Sequence, residues 1–221
     1  MELSFRNDPS IKSALIARMD AHSAADEIIK GTGWEGGKGC FIGCSLNNYD
    51  HSQWPVELGL PEWMALLCDA IFEGLPNADA MTFATELPRR IPVGVNLGPV
   101  KHWIAISRID RMLETQRKAL EASHAPGVHE AITRVVTALE VGRRAHEAAA
   151  GGNSCELESA ASAARSAARS AWSTAESGWA AASAAESAAA SAAAYQSERD
   201  ALYSALDKAA HAVQPGGSDN D

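Results

Sequence analysis

Large side chains are scarce in the back half of this 221-residue chain. All four Phe and four of the six Trp lie before residue 104, whereas residues 160–194 hold 19 Ala and 8 Ser. Only the front half can build a core of interdigitated large side chains. Strand signals are nearly absent: Phe41-Ile42 and Ile91-Pro92-Val93 are too short to count, which argues against a sheet-based fold. No apolar run reaches the roughly 18 residues of a membrane span. The alanine tract comes nearest and is broken by Arg165, Arg169, Glu176 and Glu186. The N-terminal residues Met1 to Asp8 carry no apolar signal-peptide core. These features predict a soluble protein of the cytoplasm, without membrane contact.

Positive charge is also in short supply. There are 19 Lys and Arg against 28 Asp and Glu, for a net charge of −9. Such a chain lacks the electrostatic footprint that supplies most nucleic-acid affinity, so nucleic acid is not an expected partner. The mildly basic middle (Arg108, Arg111, Arg117, Lys118, Arg134, Arg143, Arg144) reads as solvated helix faces. The four cysteines, Cys40, Cys44, Cys68 and Cys155, in a chain read as having no export signal, are expected to be reduced thiols and not a disulfide framework.

What is present is helix. Asp8-Pro9 is a start signal, and Ile11, Leu15, Met19, His22 and Ile29 share one face. Six glycines then fall between Gly31 and Gly43, a density that means a backbone in tight turns or in close approach to something. From Pro61 a second stripe (Trp63, Leu66, Leu67, Ala70, Ile71) runs to Gly74, followed by a short helix over 77–87. Trp54, Trp63 and Trp103 are expected in the core. After Pro99 helices are predicted over 99–123 and 128–150, and a last one from Ser154 to about residue 212.

The predicted fold is therefore mainly α: short helices and Gly-rich loops, then a long alanine-rich antiparallel hairpin or bundle. The expected segments are 1–98, 99–213 and a tail, 214–221. Serines near a period of four in the alanine tract allow close backbone approach, within the chain or between copies in a homo-oligomer. Trp172 and Trp179 are seven apart on one face and form a candidate interface. Tyr195, Leu202, Leu206 and Val213 lie on another face, which implies two successive packing partners.

Chemistry concentrates in Gly37-Lys38-Gly39-Cys40-Phe41-Ile42-Gly43-Cys44 and the following Asp50-His51. Three readings compete. Cys40, Cys44 and His51, with His22 from the preceding helix and Cys68 as a substitute, have the ligand types of a zinc site. Alternatively Cys40 or Cys44 is a nucleophile with His51 as base and Asp50 or Glu57 as orienter. Or the cysteines simply pack, as buried thiols usually do. Gly31-x-Gly33-x2-Gly36 matches a dinucleotide-binding pattern literally, but it follows a helix instead of a strand.

The order Gly31-x-Gly33-Trp34-x3-Lys38-Gly39-Cys40-x2-Gly43-Cys44, His51, Gly59-Leu60-Pro61-x-Trp63, Ile71-Phe72-Glu73-x-Leu75-Pro76 and Ile91-Pro92-Val93-Gly94 resembles a group of phage and prophage proteins. The resemblance covers about residues 20–105, and some of that group also end in alanine-rich helices. It implies a mobile-element setting and assigns no activity or catalytic residue. Two functions follow as expectations. One is a binding or inhibitor protein that contacts a host or phage protein, with zinc as a structural cofactor. The other is a small zinc-dependent or thiol enzyme built on Cys40, Cys44 and His51.

Overall fold

The computed structural model describes residues 3–122, 126–162 and 184–212. The fold is mainly α; among the described residues the sheet is a single two-residue hairpin. The chain divides into two compact units, Met1–Leu97 with Ala185–Asp221, and Gly98–Ala184.

In the first unit, α1 (Pro9–Ala24) begins where Asp8 accepts a hydrogen bond from the Ser10 N–H at 2.8 Å, with Pro9 in the first turn. It buries Leu15 and Met19 and ends short of the expected Ile29. Asp26 adopts a left-handed backbone (φ 53°) that turns the chain. Ile28 then bridges Gly39, and Ile29 is left 36% exposed. Strands β1 (Trp34–Glu35) and β2 (Lys38–Gly39) pair antiparallel around Gly36-Gly37. Both glycines have positive φ (57° and 87°), as a two-residue hairpin turn requires.

Helices α2 (Phe41–Leu46) and α3 (Gln53–Leu58) follow, then α4 (Glu62–Gly74) and α5 (Asn77–Arg90). The buried face of α4 is Met64, Ala65, Cys68, Ile71 and Phe72. The expected stripe is thus rotated: Leu66 is 53% exposed and Trp63 only half-buried, while Trp54 is fully buried. Helix α5 runs past the expected stop at 87 and contains Pro88, because the Ile91 N–H still reaches the Leu87 carbonyl at 3.2 Å. The N-terminus is clipped to the 92–96 segment by Ser4. Its Oγ donates to the Pro92 carbonyl at 2.5 Å, and its backbone exchanges hydrogen bonds with Gly94 and Val95.

The C-terminal helix, α9 (Ala184–His211), belongs with this front unit, so the expected 99–213 segment does not form one body. Its Tyr/Leu face is the reason. Leu202 and Leu206 are fully buried, and the Tyr203 ring stacks on Phe83 at 6.1 Å with Arg90 over its face at 4.3 Å. A Cβ on Gly74 would overlap the Tyr195 ring, so the absent side chain there makes the seat for this helix. Gln196 donates to Asp79 at 2.8 Å. Val213, the tail 214–221, the pair Trp172 and Trp179, and most of the Ala/Ser tract lie outside the described residues.

The second unit holds α6 (Gly98–Ala122), α7 (Pro126–Ala150) and the start of α8, described over 157–162. The first two form an antiparallel hairpin closed by Ile109 against Gly142, with ion pairs Arg117–Glu140 at 2.9 Å and Arg143–Asp110 at 2.7 Å. Lys118 and Arg134 pair within their own helices with Glu114 and Glu130. The basic middle of the chain is thus largely neutralised at the surface, where such pairs add little stability. Trp103 is half-buried.

His102 and His146 meet across the hairpin with their Nδ1 atoms 3.1 Å apart, so one ring donates to the other. Burial first, then Lys101 and His146, hold the His102 pKa below its usual range; burial does the same to His146. Lowered values in the folded state mean that the unfolded chain binds more protons in acid. The stability from this pair is therefore complete above about pH 6.5, the unfolded histidine value, and is lost as pH falls toward the folded values. The urea midpoint of the helical signal should drop between neutral and mildly acidic pH. His102→Gln with His146→Gln should flatten that slope, and an unchanged slope would remove the pair as its cause.

Candidate functional site

The glycine-rich segment sets the geometry of the site by close approach. A Cβ on Gly39 or Gly43 would overlap the Gly33 carbonyl oxygen, and one on Gly33 would overlap the Tyr49 ring. These three glycines let the 31–33 backbone, β2 and α2 stack in direct contact. Gly36 and Gly37, by contrast, face open space and serve the turn alone. Cys40 stands at the N-cap position of α2 without a side-chain capping bond, its N–H donating to the Thr32 carbonyl at 2.7 Å. Every residue from Phe41 to Ser45 is buried. The Trp54 indole N–H donates to Ser45 Oγ at 3.0 Å, and Asn47 ends the helix in a left-handed conformation.

The hub is Asp69 on α4. The Cys40 thiol donates to its Oδ1 at 3.3 Å, the Tyr49 hydroxyl donates to Oδ2 at 2.9 Å, and His51 Nε2 lies 3.1 Å from the same oxygen. The Tyr49 and His51 rings meet edge-on at 5.0 Å. One turn further along α4, Glu73 accepts the Gly31 N–H on both carboxylate oxygens, at 3.1 and 2.9 Å. Cys40, Asp69 and Glu73 each offer a ligand atom within 4.8 Å of the others.

The expected four-residue metal set does not converge. Of Cys40, Cys44, His51 and His22, the structure brings Cys40 and His51 together, through Asp69. The Cys44 thiol is directed at the carbonyls of Gly39 (3.3 Å) and Glu27 (3.7 Å). His22 is held between Glu27 at 2.7 Å and Asn47 at 2.9 Å, with both ring nitrogens engaged and its ring perpendicular to that of Trp34. Cys68 is completely buried, and burial pushes its thiol well above the ordinary value. Neither proposed orienter of His51 serves: Asp50 caps Ser52 in a local turn, and Glu57 is exposed.

Electrostatics weigh against a nucleophile. Burial, reinforced by the charge of Asp69, pushes the Cys40 thiol up to about 12. Burial, with Glu27 adding to it, pushes Cys44 up to about 11. The hydrogen bond to Asp69, then burial, raises Tyr49 to about 12. At neutral pH both thiols are therefore protonated, the opposite of the activation a catalytic cysteine needs. The residues that organise the site, Asp69 and Glu73, are not among the site residues expected from the sequence. Their spacing of four puts two carboxylates on one helix edge, and that was the available signal.

No membrane-crossing helix is present among the described residues: none is long and apolar enough. No protein-family model, curated protein or solved structure matches this chain.

Proposed function

We propose that this is a phage- or prophage-type protein that acts in the host cytoplasm by binding another protein, with the α6–α7 hairpin as its contact surface. The observation that carries this reading is how little the hairpin covers of its own apolar surface. Each helix has 25 residues, yet the large apolar side chains buried on them are few: Val100, Ile104, Leu113 and Leu139. Met112 is 50% and Val128 41% exposed, and Ile106, Ile109, Ile132, Val135 and Val136 are half-buried. An extended apolar surface left uncovered and edged by charge marks an interaction site, unlike single exposed apolar residues. The protonated, buried thiols add support by disfavouring the thiol-enzyme alternative, and the motif-order resemblance supplies the phage setting.

The test is site-specific photo-crosslinking in a bacterial host, with the reactive group at Met112 or Val128 and controls at Val56 and Leu66 of the first unit. A discrete adduct to one protein from the hairpin positions alone is the expected result. Adducts that are absent, or equally strong from the control positions, would contradict the assignment. An adduct of two copies of this chain would move the partner to a homo-oligomer and overturn the host-protein reading.

A further inference from the structure

We propose that Cys40, Asp69 and Glu73 form a binding site for one divalent cation of the zinc type. This inference stands apart from the contact reading, since it concerns the first unit alone. Three donors of two chemical classes converge there from two separate segments, with Cys40 Sγ 3.3 Å from Asp69 Oδ1 and all three ligand atoms within 4.8 Å. An ion with bonds of about 2.3 Å to sulfur and about 2.1 Å to oxygen spans donors at such separations, with small side-chain rotations. A thiolate beside two carboxylates selects zinc or cobalt over calcium or magnesium, which take oxygen alone.

Charge gives the independent argument. Asp69 and Glu73 are half-buried carboxylates four residues apart, an unfavourable like-charge pair on a helix. Among the described residues, the salt bridge that reaches them runs from His51 to Asp69; Glu73 is met by the Gly31 backbone N–H. Lys30, close by in sequence to Gly31, donates to the Leu75 carbonyl instead, at 2.5 Å. A divalent cation would offset both carboxylates. On binding, the Sγ–H bond breaks, the proton passes to solvent and a sulfur–metal bond forms. Tyr49 and His51 on Asp69, and the Gly31 N–H on Glu73, then act as the outer partners that orient metal ligands. Three protein donors leave a fourth position for water.

The test uses cobalt(II) on the full chain carrying Cys155→Ala, which removes the exposed thiol. One cobalt per chain is expected, with a sulfur-to-cobalt charge-transfer band in the near ultraviolet. Cys40→Ser should abolish that band. Asp69→Asn and Glu73→Gln, each verified as folded by circular dichroism, should weaken binding at least about tenfold. Cys44→Ser and His22→Gln should bind as the parent does. Absence of binding by the parent, a band that survives Cys40→Ser, or a band lost with Cys44→Ser would each overturn the assignment.

Discussion

Gly43→Ala should unfold the first unit or lower its melting temperature by about 10 °C. The methyl group would overlap the Gly33 carbonyl oxygen and press against Gly33 C and Trp34. Relief requires α2 to move away from the 31–33 backbone. Phe41, Ile42, Cys44 and the ring of Trp54 would move with it, and all of them are buried. Overpacking of backbone against backbone has no flexible side chain to absorb it, which places the cost at the extreme of single substitutions, about 4 kcal/mol or more. In a chain of this size each kcal/mol moves the melting temperature by about 2–4 °C. Gly36→Ala is the informative control. Its Cβ meets nothing, so it should cost only the left-handed backbone penalty of about 1–2 kcal/mol. Equal melting temperatures for the two variants, read by near-ultraviolet circular dichroism, would remove close approach as the reason for the glycines.

This contrast shows what the sequence could and could not convey. Glycine density announced either turns or close contact, and both occur, divided between Gly36-Gly37 and Gly33, Gly39 and Gly43. Helix identity was legible from periodicity, since apolar spacing is a local property. The rotation of α4 was not: which of Trp63 or Met64 faces inward depends on what α2 and α5 present to it. The end of α1 was obscured because Ile29 continues its spacing, although a left-handed Asp26 has already turned the chain. The Tyr195/Leu202/Leu206 stripe of the last helix was visible, and it does find a partner. That this partner is the front of the chain is a long-range fact with no local signal.

The candidate site was half legible for the same reason. Cys40 and His51 stood out because their residue types are rare and chemically active. Asp69, which joins them, looks in sequence like any acid on the outer side of a helix. His22 and Cys44 have equally suggestive chemistry, but their hydrogen-bonding capacity is spent on Glu27, Asn47 and backbone carbonyls. Only tertiary structure separates a histidine that is available from one that is already satisfied.

The second large effect concerns the thiols, and it bears on whether the Cys/His segment is interior scaffold or reactive site. Cys40, Cys44 and Cys68 are buried, and Cys155 is exposed. A buried protonated thiol reacts only when the structure opens, so its labelling rate is scaled down by the opening equilibrium. For a unit stable by the usual 5 kcal/mol or more, that is a reduction of roughly a thousandfold or beyond. Gly43→Ala should erase most of this protection, while Gly36→Ala should keep it.

The most direct measurement is therefore residue-resolved alkylation of the native chain near neutral pH, followed by mass spectrometry. The predicted result is rapid modification of Cys155 alone, with Cys40, Cys44 and Cys68 modified together and only on the timescale of unfolding. Rapid modification of Cys40 or Cys44 in the folded protein would contradict the account, because it would reveal an accessible thiolate where the structure places a buried thiol hydrogen-bonded to Asp69 or to backbone carbonyls.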